Sequence, residues 1–147
     1  MHPNGQAPQR GKPGDAGLDC FAVLADSLNV TQGDLAKISL GFSYAFWEND
    51  EVSHDYWLDI RNRSGVGTKS GLVTVAEVGD ASYRGIIHYC AAKVTPGEYE
   101  ILPGAKIAQA IINPFVDPHK VDIVIVDSLE ELGASLRGAG GFGSSGM

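Results

Sequence analysis

Four short runs carry residue types able to bind phosphate or to move a proton. Residues 137–147 read RGAGGFGSSGM. Closely spaced glycines there let backbone N–H groups converge on an anion, Ser144 and Ser145 add hydroxyl donors, and Arg137 adds a fork of charge-assisted donors. Phe142 has no core to join in so polar a run, and stacking on a ring is the chemistry it suits. Taken by itself, a disordered Gly/Ser tail is the plainer account.

Residues 61–72, RNRSGVGTKSGL, offer a second site of the same sort. Arg63 and Ser64 precede Gly65 and Gly67, where backbone can approach a phosphate closely. The run lacks the GKS/T ending of a Walker A loop, and a solvated basic turn explains it equally well. The third run, GDASYRG at 79–85, sets one carboxylate, Asp80, in a turn with Tyr83 and Arg84. A carboxylate beside a polyphosphate can act as general base towards water, although an aspartate in a Gly-flanked turn is more often only a turn residue. The fourth, AGLDCFA at 16–22, holds Asp19 on an expected strand, where a salt bridge is the bland reading.

These runs need a scaffold, and the chain reads as one domain of short strands. Its 147 residues fit a single core. Ile38, Leu40, Phe42, Tyr44 and Phe46 alternate with Lys37, Ser39, Gly41, Ser43 and Ala45, the period of a half-buried strand. Further strands are expected over 56–61, 72–76, 85–92, 98–102, 107–112 and 121–126, separated by turns such as Pro96-Gly97 and Pro103-Gly104. Many short strands with Gly/Pro turns imply an all-β sandwich, barrel or jelly roll. Helical signals are confined to one turn over 64–69 and a capping-box-like start at Ser128. The organisation expected is a β domain over 1–136 and a flexible Gly-rich C-terminal arm over 137–147.

A formal charge of −7, from 11 Lys+Arg against 18 Asp+Glu, repels nucleic acid and anionic membranes, so neither is an expected partner. An anionic ligand must then be held by a local cation cluster. Cys20 and Cys90 are too few for a disulfide framework or a cysteine zinc site and read as small buried residues of a reducing compartment. No run approaches the roughly 20 apolar residues of a membrane span, and the expected location is cytoplasmic. His2, His54, His88 and His119 lack metal-ligand spacing, with His88 placed to line a pocket beside Tyr83. Trp47 and Trp57 read as core or subunit interface.

Together with KIAQAII at 106–112, the four runs resemble, in order and spacing, the five motifs of the trimeric dUTPase family. The match extends from Pro13 to Gly146. The first motif, AGxDLxA, is followed by residues 16–22. The second, PRSGxxxKxG, is matched at Arg63, Ser64, Gly65, Lys69 and Gly71, and the fourth, RIAQLI, at 106–111. The fifth, RGxGGFGSTG, is matched almost letter for letter by 137–146.

The resemblance implies a jelly-roll subunit in a threefold homotrimer whose active sites combine parts of three subunits. It implies Mg²⁺-dependent hydrolysis of dUTP to dUMP and pyrophosphate by in-line attack of water at the α-phosphorus. Asp80 would activate the water, Tyr83 would pack under the deoxyribose, and the backbone at Val78 and Gly79 would pair with uracil. Arg63, Ser64 and Gly65 of a neighbouring subunit would bind phosphate. Gln109 would hold the α-phosphate or the water, and Asp19 would touch the hydration shell of a Mg²⁺ carried by the triphosphate. Phe142, with Gly143, would close on uracil, and Arg137, Ser144 and Ser145 would wrap the γ-phosphate.

The departures that bear on the site lie in the second and third motifs. The third motif, usually G-V-I-D-x-D-Y-R-G, has Glu77 for its first glycine, Gly79 for isoleucine and Ser82 for the second aspartate. Asn62 replaces the proline before Arg63. Gly79 and Asn62 are expected to loosen the segments they belong to. Two rival readings follow: a dCTP deaminase-like enzyme, against which Asp80 and the intact fifth motif argue, and a nucleotide-binding regulator of the same fold with weakened catalysis.

Overall fold

The computed structural model describes residues 3–135. Two compact units divide the chain, Met1–Asp117 and Pro118–Met147. The expected arm over 137–147, with Arg137, Phe142, Gly143, Ser144 and Ser145, lies outside the described residues.

In the first unit, alternating burial draws the chain into strands. They are, in chain order, β1 (Gln9–Arg10), β2 (Gly17–Phe21), β3 (Leu28–Val30), β4 (Leu35–Ser39), β5 (Phe46–Glu48) and β6 (Glu51–Ser53). There follow β7 (Tyr56–Asn62), helix α1 (Ser64–Ser70), β8 (Leu72–Ala76), β9 (Val78–Gly79), β10 (His88–Lys93), β11 (Tyr99–Ile101) and β12 (Lys106–Pro114). The largest sheet runs β1-β2-β12-β7-β9, a second runs β4-β10-β8, and β11 with β3 and β5 with β6 form two-stranded ribbons. Each named pair is antiparallel. The fold is all-β, as expected.

The alternation over 37–46 buries the residues it should, with Ile38, Leu40 and Phe42 all in the core beside Tyr89, Ile101 and Ile107. The strand is nevertheless not continuous. It ends at Ser39, because Gly41 adopts a left-handed φ of 75°, and the pairing with the segment before β10 passes to single bonds from Leu40 N–H to the Ile87 carbonyl and from Ile87 N–H to the Phe42 carbonyl. Strands expected at 56–61, 72–76, 98–102 and 107–112 form with small shifts, and that expected at 85–92 begins only at His88.

Residues 121–126 form no strand. Ile123, Val124 and Ile125 have the right side chains but are 86%, 77% and 91% exposed, and a strand needs a partner for its backbone as well as branched side chains. The second unit has instead short 3-10 turns at Pro118–Lys120 and Glu130–Leu132. Trp47 is 68% exposed on the β5–β6 hairpin opposite Val52, which excludes a core role for it. Cys20 is buried, and burial pushes its thiol up to about 12, whereas Cys90 is only half-buried.

Candidate active site

Strands β2 and β12 lie side by side, with Gln109 opposite Asp19, and β7 on the other flank of β12 leads directly into Arg63, Ser64 and Gly65. This topology brings residues from three separate motifs to one cleft of about 770 Å³. Lys12, Asp19, Arg63, Ser64, Lys106 and Gln109 line it, and Gly65 forms part of its wall. Against a chain charge of −7, three cations meet two carboxylates here, Asp15 and Asp19. The local cation surplus expected from composition is therefore present.

Lys106 belongs to the cleft because of a bulge. On a regular strand, residues 106 and 109 would point to opposite faces. The register of β12 against β2 shifts between Lys106 and Ala108, so Ile107 and Ala108 are both buried while Lys106 and Gln109 reach the same cleft. Asp19 then bonds both cations, Arg63 Nε at 2.7 Å and Lys106 Nζ at 3.0 Å. Burial alone would raise the Asp19 carboxyl. The hydrogen bond from Lys106 and the charges of Arg63 and Lys106 outweigh that and hold it below its usual range.

Two glycines of the cleft have opposite reasons to be glycine. A Cβ on Gly17 would collide with the side-chain amide of Gln109 and lie 3.0 Å from its Cβ. Packing against Gln109 therefore disfavours a side chain at this position. A Cβ on Gly65 would meet nothing within 4 Å, so none of the described neighbours demands glycine there.

Asn62 joins this cleft to the core. Its Nδ2 donates to the Leu72 carbonyl at 2.6 Å, its Oδ1 accepts from the hydroxyl of fully buried Tyr89, and its carbonyl accepts from Gln109 Nε2 at 2.8 Å. The residue standing for proline thus ties β7, β8, β10 and β12 together. These three bonds oppose the loosening expected at this position.

Asp80 and Tyr83 lie elsewhere. With Glu77, Val78 and Gly79 they line a second cleft of about 340 Å³, which Lys37, His88 and Cys90 also reach. His88 does line a pocket beside Tyr83, its Nδ1 2.9 Å from the Ile86 carbonyl. Residues 80–83 form a turn closed by the Tyr83 N–H on the Asp80 carbonyl at 3.0 Å. The Arg84 guanidinium fastens it by donating to the Ala81 and Tyr83 carbonyls at 2.7 and 2.9 Å. The Tyr83 ring crosses Gly85 so closely that a Cβ there would strike its hydroxyl. Across the sheet, Glu77 pairs with Arg61 at 2.9 Å, and Gly79 sits opposite Leu58. The substitutions at 77 and 79 are thus held in place by partners on β7.

Sequence reasoning missed Lys12 as a cleft residue and gave Lys106 no role in the site. Lys106 could have been suspected as the opening residue of the fourth motif, but only the bulge turns it inward.

The class is an all-β protein with a cation-rich cleft of polyphosphate size and a separate hairpin bearing an exposed carboxylate. The dUTPase family model matches residues 3–146, and the chain belongs to that family. It is similar to the deoxyuridine 5'-triphosphate nucleotidohydrolase of Chlamydia trachomatis, 33% identical over 142 residues that cover 95% of this chain and 90% of the relative. The Clostridium tetani enzyme of the same name is 37% identical, covering 95% and 88%. Among solved structures, the G164S mutant of the Staphylococcus bacteriophage 80alpha dUTPase with dUpNHpp superposes with a TM-score of 0.81 at 25% identity, covering 99% of this chain and 94% of that one. These similarities mark the chain as an enzyme of the dUTP nucleotidohydrolase type. No described helix is long and apolar enough to cross a membrane.

Proposed function

We propose that the protein hydrolyses dUTP to dUMP and pyrophosphate in a homotrimer whose active sites take the phosphate cleft and the Asp80 hairpin from different subunits. The observation that carries this reading is the separation of the two clefts within one chain. In the sheet order β2-β12-β7-β9, Asp19 lies on the first strand and the hairpin on the last, three strand spacings or roughly 14 Å apart. A base and a phosphorus must approach through one water, with reacting atoms about 3–3.5 Å apart. A second copy supplies what one chain keeps apart. The exposed β-branched run at Ile123, Val124 and Ile125 also supports association, since an apolar segment of that kind suits a partner chain.

Uracil would enter the hairpin cleft and pair with the backbone at Val78 and Gly79, while Tyr83 packs under the sugar. Arg63, with Ser64 and Gly65, binds the phosphates, and the triphosphate competes with Asp19 for Arg63 and Lys106. Gln109, held by the Asn62 carbonyl, orients the α-phosphate or the water. Asp80 takes a proton from the water as its oxygen bonds to the α-phosphorus, and the bond to the α,β-bridging oxygen breaks to release pyrophosphate. Arg137, Phe142, Gly143, Ser144 and Ser145 complete this reading from the sequence alone, as the closing arm.

Among the described residues, no three His, Cys, Asp or Glu side chains gather as a metal cage. Asp19, already shared by two cations, suits contact with the water shell of a Mg²⁺ held mainly by triphosphate oxygens. Such an ion supplies neutralisation of the phosphate charge and of the departing pyrophosphate.

The test is incubation of the purified protein with dUTP or dCTP and Mg²⁺. Pyrophosphate from dUTP is expected. Ammonia from dCTP would select the deaminase-like reading, and nucleotide binding without either product the regulator.

A further inference from the structure

We propose that Tyr44 is a positioning residue for the Asp80 base, fixing the main chain of the hairpin from which the carboxylate projects. The inference rests on the reading of Asp80 as base. Tyr44 lies in none of the five motifs, 36 residues before Asp80, and its hydroxyl donates to the Asp80 carbonyl at 2.7 Å. The same oxygen accepts the Tyr83 N–H at 3.0 Å. With both lone pairs engaged, the peptide after Asp80 is held against rotation, and the side chain beside it inherits that orientation.

Glycine at 79 makes this contact possible. Gly79 is buried opposite Leu58, and a Cβ there would come within 2.8 Å of the Tyr44 hydroxyl and 3.2 Å of both the Leu58 Cβ and its carbonyl oxygen. Any side chain at 79 therefore pushes the phenol off the Asp80 carbonyl. The residue expected to loosen the hairpin instead admits the group that tightens it.

The phenol is itself braced. Its ring meets Phe46 edge to face at 5.2 Å, and Phe46 packs on Tyr56, the first residue of β7, at 5.7 Å. Burial, with a smaller push from the Asp80 charge, raises the Tyr44 hydroxyl to about 12 although Arg84 opposes it. It stays a donor throughout the range in which the enzyme would work.

The test compares Tyr44→Phe, Gly79→Ala and Asp80→Asn, singly and combined, in the full chain. Tyr44→Phe keeps the ring packing and removes only the donor. Its kcat for dUTP should fall about fivefold to fiftyfold, with KM within twofold and the melting temperature nearly unchanged. Gly79→Ala, which retains the hydroxyl but displaces it, should also lower kcat, with KM raised because its backbone faces uracil in the proposed site, and the double variant with Tyr44→Phe should have a kcat little below that of the poorer single one. In an Asp80→Asn background, Tyr44→Phe should cost almost nothing, because no base is left to position. A Tyr44→Phe enzyme with unaltered kcat, or one whose loss multiplies fully with that of Asp80→Asn, overturns the inference. Wild-type turnover in Asp80→Asn alone overturns the assignment of the base instead.

Discussion

The cation-rich cleft and the Asp80 hairpin are built on opposite plans. In the cleft, Asp19, Arg63 and Gln109 keep the motif residues, and Asp19 joins Arg63 and Lys106 in ion pairs whose cationic partners are partly exposed. In the hairpin the sequence departs from the motif at three positions, and two of them acquire fixed partners. Glu77 meets Arg61 and Gly79 makes room for Tyr44, while Ser82 stays exposed at the tip of the turn. A motif position that binds ligand is constrained by the ligand, whereas one that shapes backbone can change if another residue restores the shape. The motif letters alone carry only the first kind of constraint.

The largest effect separating the two regions should come from Asp80→Asn. Size and polarity are kept and the base is lost, so kcat should fall about a thousandfold while nucleotide still binds. Unchanged kcat would move the base to another residue and remove the functional contrast. Next, deletion of residues 138–147 should lower kcat/KM about a hundredfold with folding intact, since the run adds little apolar burial but brings donors and excludes water over the phosphates. If the truncated chain hydrolyses dUTP as well as the full one, residues 137–147 have no part in the site.

A smaller effect distinguishes the two cleft glycines. Gly65→Ala has open space in a helical position and should leave the melting temperature unchanged or higher, yet raise KM for dUTP about tenfold by crowding a phosphate. Gly17→Ala must displace Gln109 and should cost about 1–3 kcal/mol of stability. Equal melting temperatures for the two would contradict the distinction.

The smallest effect concerns Asp19. Its carboxyl is held below the usual range, so the stabilisation it contributes is complete above the unfolded value near 4 and drains as pH falls through the folded one. Asp19→Asn should therefore lower thermal stability slightly at neutral pH and flatten its acid dependence below about pH 4. An identical acid profile in variant and wild type would mean that the pairs with Arg63 and Lys106 contribute nothing in solution.

What was legible in the sequence follows the same division. Asp19, Arg63, Ser64, Gly65 and Gln109 could be gathered because each sits inside a motif, and the alternation of Ile38, Leu40 and Phe42 disclosed which residues enter the core. Lys106 was hidden by a one-residue bulge that reverses its side. Tyr44, Arg61 and Tyr89 were hidden because their partners Asp80, Glu77 and Asn62 lie 16 to 36 residues away, and no local spacing announces a contact that only strand pairing creates. The run 121–126 misled because its side chains suit a strand while none of the described residues pairs with it as one.

The claim that one site is completed by two chains is tested most directly by mixing two inactive variants. Asp80→Asn should be inactive for want of the base, and Arg63→Ala for want of the phosphate ligand. Refolded together from denaturant so that subunits exchange, they should regain a substantial fraction of wild-type pyrophosphate release, because some sites then pair an intact Asp80 with an intact Arg63 from different chains. If mixed and refolded assemblies stay as inactive as either variant alone, each chain carries its whole site and the shared-site account is wrong.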